Sequence, residues 1–143
     1  MNTKVTIIVQ TLNSEKYILE CIDSICKQHM RELEILVIDA NSNDNTAAIV
    51  RDMIKKDSRI QLIETDRRSY GYQVNMGINM AKGEYVGIVE SDDFIDADSL
   101  EYLYESALSR NADIMKADFR IFVSDREGKK YFKNMLMFKE NNI

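Results

Sequence analysis

The chain has 143 residues, 45% of them hydrophobic and 30% charged, with a net charge of −5. That is a one-domain length, able to bury about 68–70% of the surface its unfolded chain exposes. The negative balance argues against nucleic acid as the main partner, and no apolar run reaches the roughly 18 residues that cross a membrane.

Met1-Asn2-Thr3-Lys4 leads directly into "VTIIVQ" (5–10), an apolar run typical of a strand buried on both faces. No room is left for a signal peptide, so a cytoplasmic protein is expected, including one held peripherally at the inner face of a membrane. Asn13 or Ser14 can cap the following helix, where Tyr17, Ile18, Cys21, Ile22 and Ile25 recur at helical spacing. Cys21 and Cys26, five apart on that helix, do not share a face, and free thiols are expected rather than a disulfide or metal pair.

"LEILVID" (33–39) predicts a second buried strand, and Asn43 or Asp44 caps a helix carrying Ala47, Ile49, Val50, Met53 and Ile54. "IQLIE" (60–64) predicts a third strand. "SYGYQVNMGINMAKG" (69–83) predicts a helix with Gly83 as its stop and with Met76 and Met80 in the core. "EYVGIVE" (84–90) predicts a fourth strand, and Asp96 or Asp98 caps a helix running to about Ser109. Residues 113–123 read as strand-like, "SDREGKK" (124–130) as a turn, and "YFKNMLMF" (131–138) as either a hairpin arm or a short helix. Strand and helix alternating in units of about 25–30 residues imply right-handed parallel crossovers. The fold class is therefore α/β, an open, mostly parallel sheet with helices on both faces.

In such sheets ligands bind beyond the carboxyl ends of the strands, and here those ends are polar. The first brings Thr11, Asn13 and Glu15; the second, Asp39, Asn41 and Ser42. The third brings Thr65, Asp66, Arg67 and Arg68, and the fourth, Glu90, Ser91, Asp92 and Asp93. A phosphate-binding G-x-x-x-x-G-K-[ST] loop is absent, Gly71 and Gly77 do not make a dinucleotide fingerprint, and His29 is the only histidine. No nucleophile elbow accompanies that histidine. A phosphoacceptor domain would need paired acids where Gln10-Thr11 stand.

Four ordered segments, "VTIIVQTLNSEKYILECIDSICKQ", "EILVIDANSNDNT", "NMGINMAKGEYVGIVESDD" and "FIDADSLEYLYE", together resemble the family 2 glycosyltransferases of the GT-A fold, over roughly residues 4–123. The resemblance implies inverting transfer of a sugar from a nucleotide-diphosphate sugar to an acceptor hydroxyl on a glycan or glycolipid, in surface polysaccharide or glycoconjugate synthesis. It implies a donor site of Thr11, Asn13, Glu15, Asp39, Asn41, Asn75, Glu90 and Ser91. Thr11 and Asp39 would contact the base or ribose, and Glu90 the ribose or the metal. Glu90-Ser91-Asp92 resembles the family's D-x-D motif, so Asp92, with Asp93 beside it, would hold Mn²⁺ or Mg²⁺. Such hard cations bind one or two carboxylates together with phosphate oxygens. The chain departs from the family pattern at Gln10 (for proline), Leu12 (for an aromatic), Ala40 (for a second acid) and Val74 (for an arginine). Arg67, Arg68 and Gln73 are the nearby stand-ins for that arginine. Tyr70 and Tyr72 read equally as packing or as a platform for the donor sugar.

On this reading 1–123 is the nucleotide-sugar-binding domain and 124–143 a partial extension, with the acceptor half missing. That half would carry the general base; Asp113, Asp118 and Asp125 come too early or have other uses, and no base is nominated. Exposed apolar residues in "YFKNMLMF" would mark a missing half or a homo-oligomer interface. The alternative reading is a non-catalytic nucleotide-sugar-binding module that works with a partner chain.

Overall fold

The computed structural model describes residues 2–124 and 130–135. The elements run β1 (Val5–Thr11), α1 (Ile18–Cys26), β2 (Leu33–Asp39), α2 (Thr46–Ile54), β3 (Ile60–Glu64), α3 (Tyr70–Met80), β4 (Tyr85–Ile88), α4 (Ser99–Arg110), β5 (Phe119–Ser124) and β6 (Lys130–Met135). The chain divides into two compact units, Met1–Glu105 and Ser106–Ile143, with the division falling inside α4.

The first unit carries a four-stranded parallel sheet of order β3-β2-β1-β4. Every residue of β1 and β2 is buried, as their largely apolar runs predict, and the burial extends to the polar Thr6, Gln10, Thr11, Glu34 and Asp39 within them. Val5, Ile7 and Val9 of β1 join Ile35 and Val37 of β2 in one core with Ile18, Cys21, Ile22 and Ile25 of α1, Val50 and Met53 of α2, and Leu100 of α4. Each fully buried aliphatic side chain there contributes about 1.5–3 kcal/mol. On the opposite face α3 lies over Ile8, so close that a Cβ on Gly77 would come within 2.7 Å of the Ile8 side chain. Gly83 is needed for the same reason: a Cβ there would sit 2.4 Å from the Thr6 amide nitrogen.

The register brings the strands to a common carboxyl edge, with Thr11 opposite Asp39 and Asp39 opposite Glu64. β4 pairs with β1 only through Ile8↔Ile88, after which the chain leaves the ladder. The fourth strand is therefore shorter than the sequence predicts. Met80 is also a correction: the buried face of α3 is Gln73, Val74 and Gly77, and Met80 is 41% exposed. Val86 and Ile88 of β4 are exposed too, because α3 covers the centre of the sheet rather than this edge.

In the second unit β5 and β6 pair antiparallel, from Phe119↔Met135 to Ser124↔Lys130. The hairpin alternative is thus the one adopted over 131–135. Residues 113–118, expected as strand, are not part of β5. The predicted "SDREGKK" turn lies almost wholly outside the described residues, as do Asp125, the end of the "YFKNMLMF" segment and the rest of the tail. Among the described residues no helix is long and apolar enough to cross a membrane.

Candidate functional site at the carboxyl edge of the sheet

The loops after β1 and β2 are stitched together by their own polar side chains. Asn13 and Asn41 take left-handed backbone conformations (φ 53° and 57°), a region in which asparagine is enriched. The Asn13 amide donates to Ser42 Oγ at 2.8 Å, and Asn13 Oδ1 accepts from the Asn43 amide at 2.9 Å. Glu15 Oε2 accepts from the Asn45 amide and side chain at 3.0 and 2.9 Å. Asp39 is buried; its Oδ2 accepts from the Ser42 amide at 2.9 Å and its Oδ1 from the Ser42 hydroxyl. Arg68 donates to the Asn41 carbonyl at 3.1 Å. Neither predicted residue is the N-cap of α2: Asn45 holds that position without a side-chain cap bond, and Asp44 Oδ1 instead accepts from the Thr46 amide at 2.9 Å in the turn that leads into the helix. At α1 neither predicted side-chain cap forms. The Ser14 carbonyl accepts from the Tyr17 and Ile18 amides, while its hydroxyl is directed elsewhere.

That hydroxyl meets Ser91 Oγ at 2.9 Å and so ties the β1 loop to the acidic segment after β4. In the same segment Glu90 is gripped at both oxygens: Gln10 Nε2 donates to Oε2, and the Tyr70 hydroxyl donates to Oε1 at 2.9 Å. The Asp93 amide donates to the Glu90 carbonyl at 3.0 Å, turning the chain so that Asp92 and Asp93 are exposed. The structure thus brings Thr11, Asn13, Glu15, Asp39, Asn41 and the 90–93 segment to one rim. Asn75 stands apart, exposed on the second turn of α3.

Two polar atoms at this rim are buried without a protein partner, Thr11 Oγ1 and Gln10 Oε1. Their residues are 3% and 5% exposed. An unsatisfied buried hydroxyl or amide costs about 1–3 kcal/mol, a cost that a ligand able to donate to it would remove.

The electrostatics are one-sided. Desolvation, then the charges of Asp92 and Glu90, push the Asp93 carboxyl above its ordinary value. Burial, followed by the charges of Asp93, Asp92 and Glu90, pushes the Cys21 thiol up to about 12; both cysteines are free. Among the described residues no three His, Cys, Asp or Glu side chains converge to form a metal cage by themselves. The donor set at 90–93 instead suits a hard cation that keeps most of its ligands from water or phosphate.

Gln73 is not an arginine stand-in. It is buried, and its Nε2 donates to the Thr11 carbonyl at 3.1 Å and the Ile38 carbonyl at 2.6 Å, pinning the ends of β1 and β2 to α3. Arg67 stacks on Tyr72, 4.7 Å from the ring centroid. His29, the lone histidine, is exposed. Sequence reasoning noted Gln10 only as a departure and left Tyr70 undecided. The available signal was a long polar side chain inside a strand predicted to be buried on both faces, which must find a partner there.

Comparison with known proteins matches the chain as a whole to a family. The model of glycosyl transferase family 2 covers residues 6–142. Glycosyltransferase GlyG of Streptococcus pneumoniae is 32% identical over 133 residues, covering 92% of this chain and 44% of the relative. Glycosyltransferase GlyA of the same organism is 35% identical over 132 residues, covering 92% of this chain and 19% of the relative. The chain therefore spans less than half the length of these curated relatives. Among solved structures, S. aureus TarS 1-349 in complex with UDP superposes with a TM-score of 0.71 at 31% identity, over 76% of this chain and 33% of that one. The mannosyltransferase PcManGT from Pyrobaculum calidifontis, in complex with GDP-Man and Mn²⁺, gives 0.63 at 30% identity, over 70% and 32%. The order of the strands, the polar rim at their carboxyl ends and the match along nearly the whole sequence lead to one conclusion: this chain belongs to glycosyl transferase family 2.

Proposed function

We propose that this chain is the donor-binding part of an inverting glycosyltransferase, which moves a sugar from a nucleotide diphosphate to a hydroxyl of a glycan or glycolipid acceptor in surface polysaccharide synthesis. The observation that carries the reading is the pair of buried, partnerless atoms, Thr11 Oγ1 and Gln10 Oε1, at the rim that also holds Glu90, Asp92 and Asp93. The UDP complex of TarS and the GDP-Man and Mn²⁺ complex of the mannosyltransferase support it.

Transfer breaks the bond between the sugar's anomeric carbon and the diphosphate oxygen, and forms one to the acceptor oxygen from the opposite side. The acceptor loses its proton to a base, and the diphosphate leaves with one more negative charge. Asp92 and Asp93 would hold Mn²⁺ or Mg²⁺, which when bound neutralises charge on the leaving diphosphate. The exposure of these two carboxylates leaves their oxygens open to such an ion. Thr11, Asn13, Asp39 and Asn41 line the base and ribose side of the rim, with Glu15 bracing the loop and Ser91 fixing the acidic segment through Ser14. Asn75, one exposed turn along α3, would reach the donor's distal part. Residues 1–123 supply the donor domain on this reading, and the acceptor half lies outside them.

The test is calorimetric titration of UDP, GDP and CDP with and without Mn²⁺, on wild type and Asp92→Ala. Metal-dependent binding of one diphosphate, weakened at least tenfold in Asp92→Ala, is the expected result. If no diphosphate binds under either condition, the reading fails.

A further inference from the structure

Glu90 sits where β4 leaves the sheet, and no neighbour in sequence fixes its side chain. Its two carboxylate oxygens are fixed instead by residues 80 and 20 positions away, Gln10 on β1 and Tyr70 at the start of α3. The two grips differ in setting. Gln10 is 5% exposed and comes from inside the sheet; Tyr70 is 53% exposed and reaches over the rim. A carboxylate oxygen accepts along two lone-pair directions. One direction on each oxygen is taken, leaving one on each for a donor group from a ligand.

The amide orientation of Gln10 follows from chemistry: a carbonyl oxygen facing the carboxylate would repel it, so Nε2 faces Glu90 and Oε1 is the atom left over. Burying a glutamine near the end of a strand, with one of its own polar atoms unsatisfied, costs stability. Packing does not require it, since the neighbouring inward positions on that face of β1 are filled by Thr6 and the aliphatic Ile8. The cost is explained if the side chain serves Glu90.

We infer that Gln10 and Tyr70 are positioning residues that hold the Glu90 carboxylate, one from each side, to accept hydroxyl hydrogens from the ribose of the bound nucleotide. The inference rests on the donor-site reading and adds to it two residues and a route by which they act.

The test is a set of mutant cycles read by UDP titration in Mn²⁺. Gln10→Leu weakens binding about tenfold, the scale of one hydrogen bond to a charged group. Tyr70→Phe, which keeps the ring and loses only the exposed hydroxyl, weakens it about threefold. Because both act through Glu90, each substitution has no further effect in a Glu90→Ala background. A merely structural role for Gln10 would instead cost the same factor in both backgrounds and would overturn the inference for that residue. If Gln10→Leu does not fold, the Tyr70→Phe cycle decides alone. Unchanged binding in these variants, with wild type binding normally, overturns the inference and leaves the donor-site reading standing. Failure of wild type to bind any of UDP, GDP and CDP overturns both.

Discussion

The two ends of the parallel sheet are both polar, and they are built on opposite terms. At the amino end Glu34 is buried inside β2, yet each of its oxygens has partners. Thr6 Oγ1 donates to Oε2 at 2.8 Å, the Lys82 amide to the same oxygen at 3.0 Å, Gln61 Nε2 to Oε1 at 3.1 Å, and Lys82 Nζ lies 3.3 Å from Oε1. The Gly83 amide completes the set on Thr6 Oγ1 at 2.9 Å. At the carboxyl end Thr11 Oγ1 and Gln10 Oε1 have no protein partner, and three acidic side chains crowd the segment after β4. A closed polar network positions strands, whereas one with atoms left over is a place for something else to bind. Acidity alone does not separate the two ends; satisfaction of the hydrogen bonds does.

The largest expected effect lies at the closed end. Glu34→Ala strips Thr6, Gln61 and Lys82 of a shared acceptor and should cost about 2–4 kcal/mol of stability, measured by urea denaturation. Diphosphate binding by the folded variant should be unchanged, since Glu34 is at the opposite end from the rim. A weakened rim in folded Glu34→Ala would break the separation of roles.

Acid should expose the same network. Burial raises the Glu34 carboxyl, but the Lys82 amide, the Thr6 hydroxyl and the Lys82 ammonium outweigh it, and the net position is below the ordinary value. Stability from a lowered carboxyl is present above its unfolded pKa of about 4.3 and is lost as pH falls through the folded one. Asp57 behaves likewise: its hydrogen bond to Arg59 is the leading cause, and the carboxyl is held at about 2. Melting temperature should therefore drop as pH falls below about 4, and less steeply in Glu34→Gln. Equal slopes for wild type and Glu34→Gln would remove Glu34 from the account.

At the open end the sign reverses. Thr11→Val keeps shape and deletes an unsatisfied hydroxyl, so stability should rise by up to about 1 kcal/mol while UDP affinity falls. A destabilised Thr11→Val would mean that the hydroxyl has a structural role. The smallest effect sharpens the electrostatic side. With its thiol pushed to about 12, first by burial and then by Asp93, Asp92 and Glu90, Cys21 should resist iodoacetamide at pH 8 in the native protein. Rapid native-state alkylation would contradict both the burial and the negative field.

Much of the fold was legible because β1 and β2 are mostly β-branched and aliphatic and α1 repeats its buried residues at helical spacing. That Glu34 would be buried within β2 was not, because its partners Thr6, Gln61 and Lys82 lie on other segments. The end of β4 was not, because "GIVE" keeps its apolar character past Ile88, where ladder pairing stops. Met80 misled because its spacing from Met76 fits a buried stripe, whereas the face α3 turns inward is Gln73, Val74 and Gly77. At the rim the strand-end residues were readable from position alone. The bonds among them were not, since Gln10 to Glu90, Ser14 to Ser91 and Asn13 to Ser42 join loops far apart in sequence. Which helix side chain would pin the strand ends was equally hidden, and Gln73 has that role.

The most direct test of the contrast between the two ends is amide chemical-shift mapping of the ¹⁵N-labelled chain during titration with UDP and Mg²⁺. The account predicts shifts confined to the carboxyl rim, around residues 10–15, 39–46, 69–73 and 88–93, with Thr6, Glu34, Lys82 and Gly83 unmoved. Shifts centred on the Glu34 network, or no shifts at the rim at saturating UDP, would contradict it.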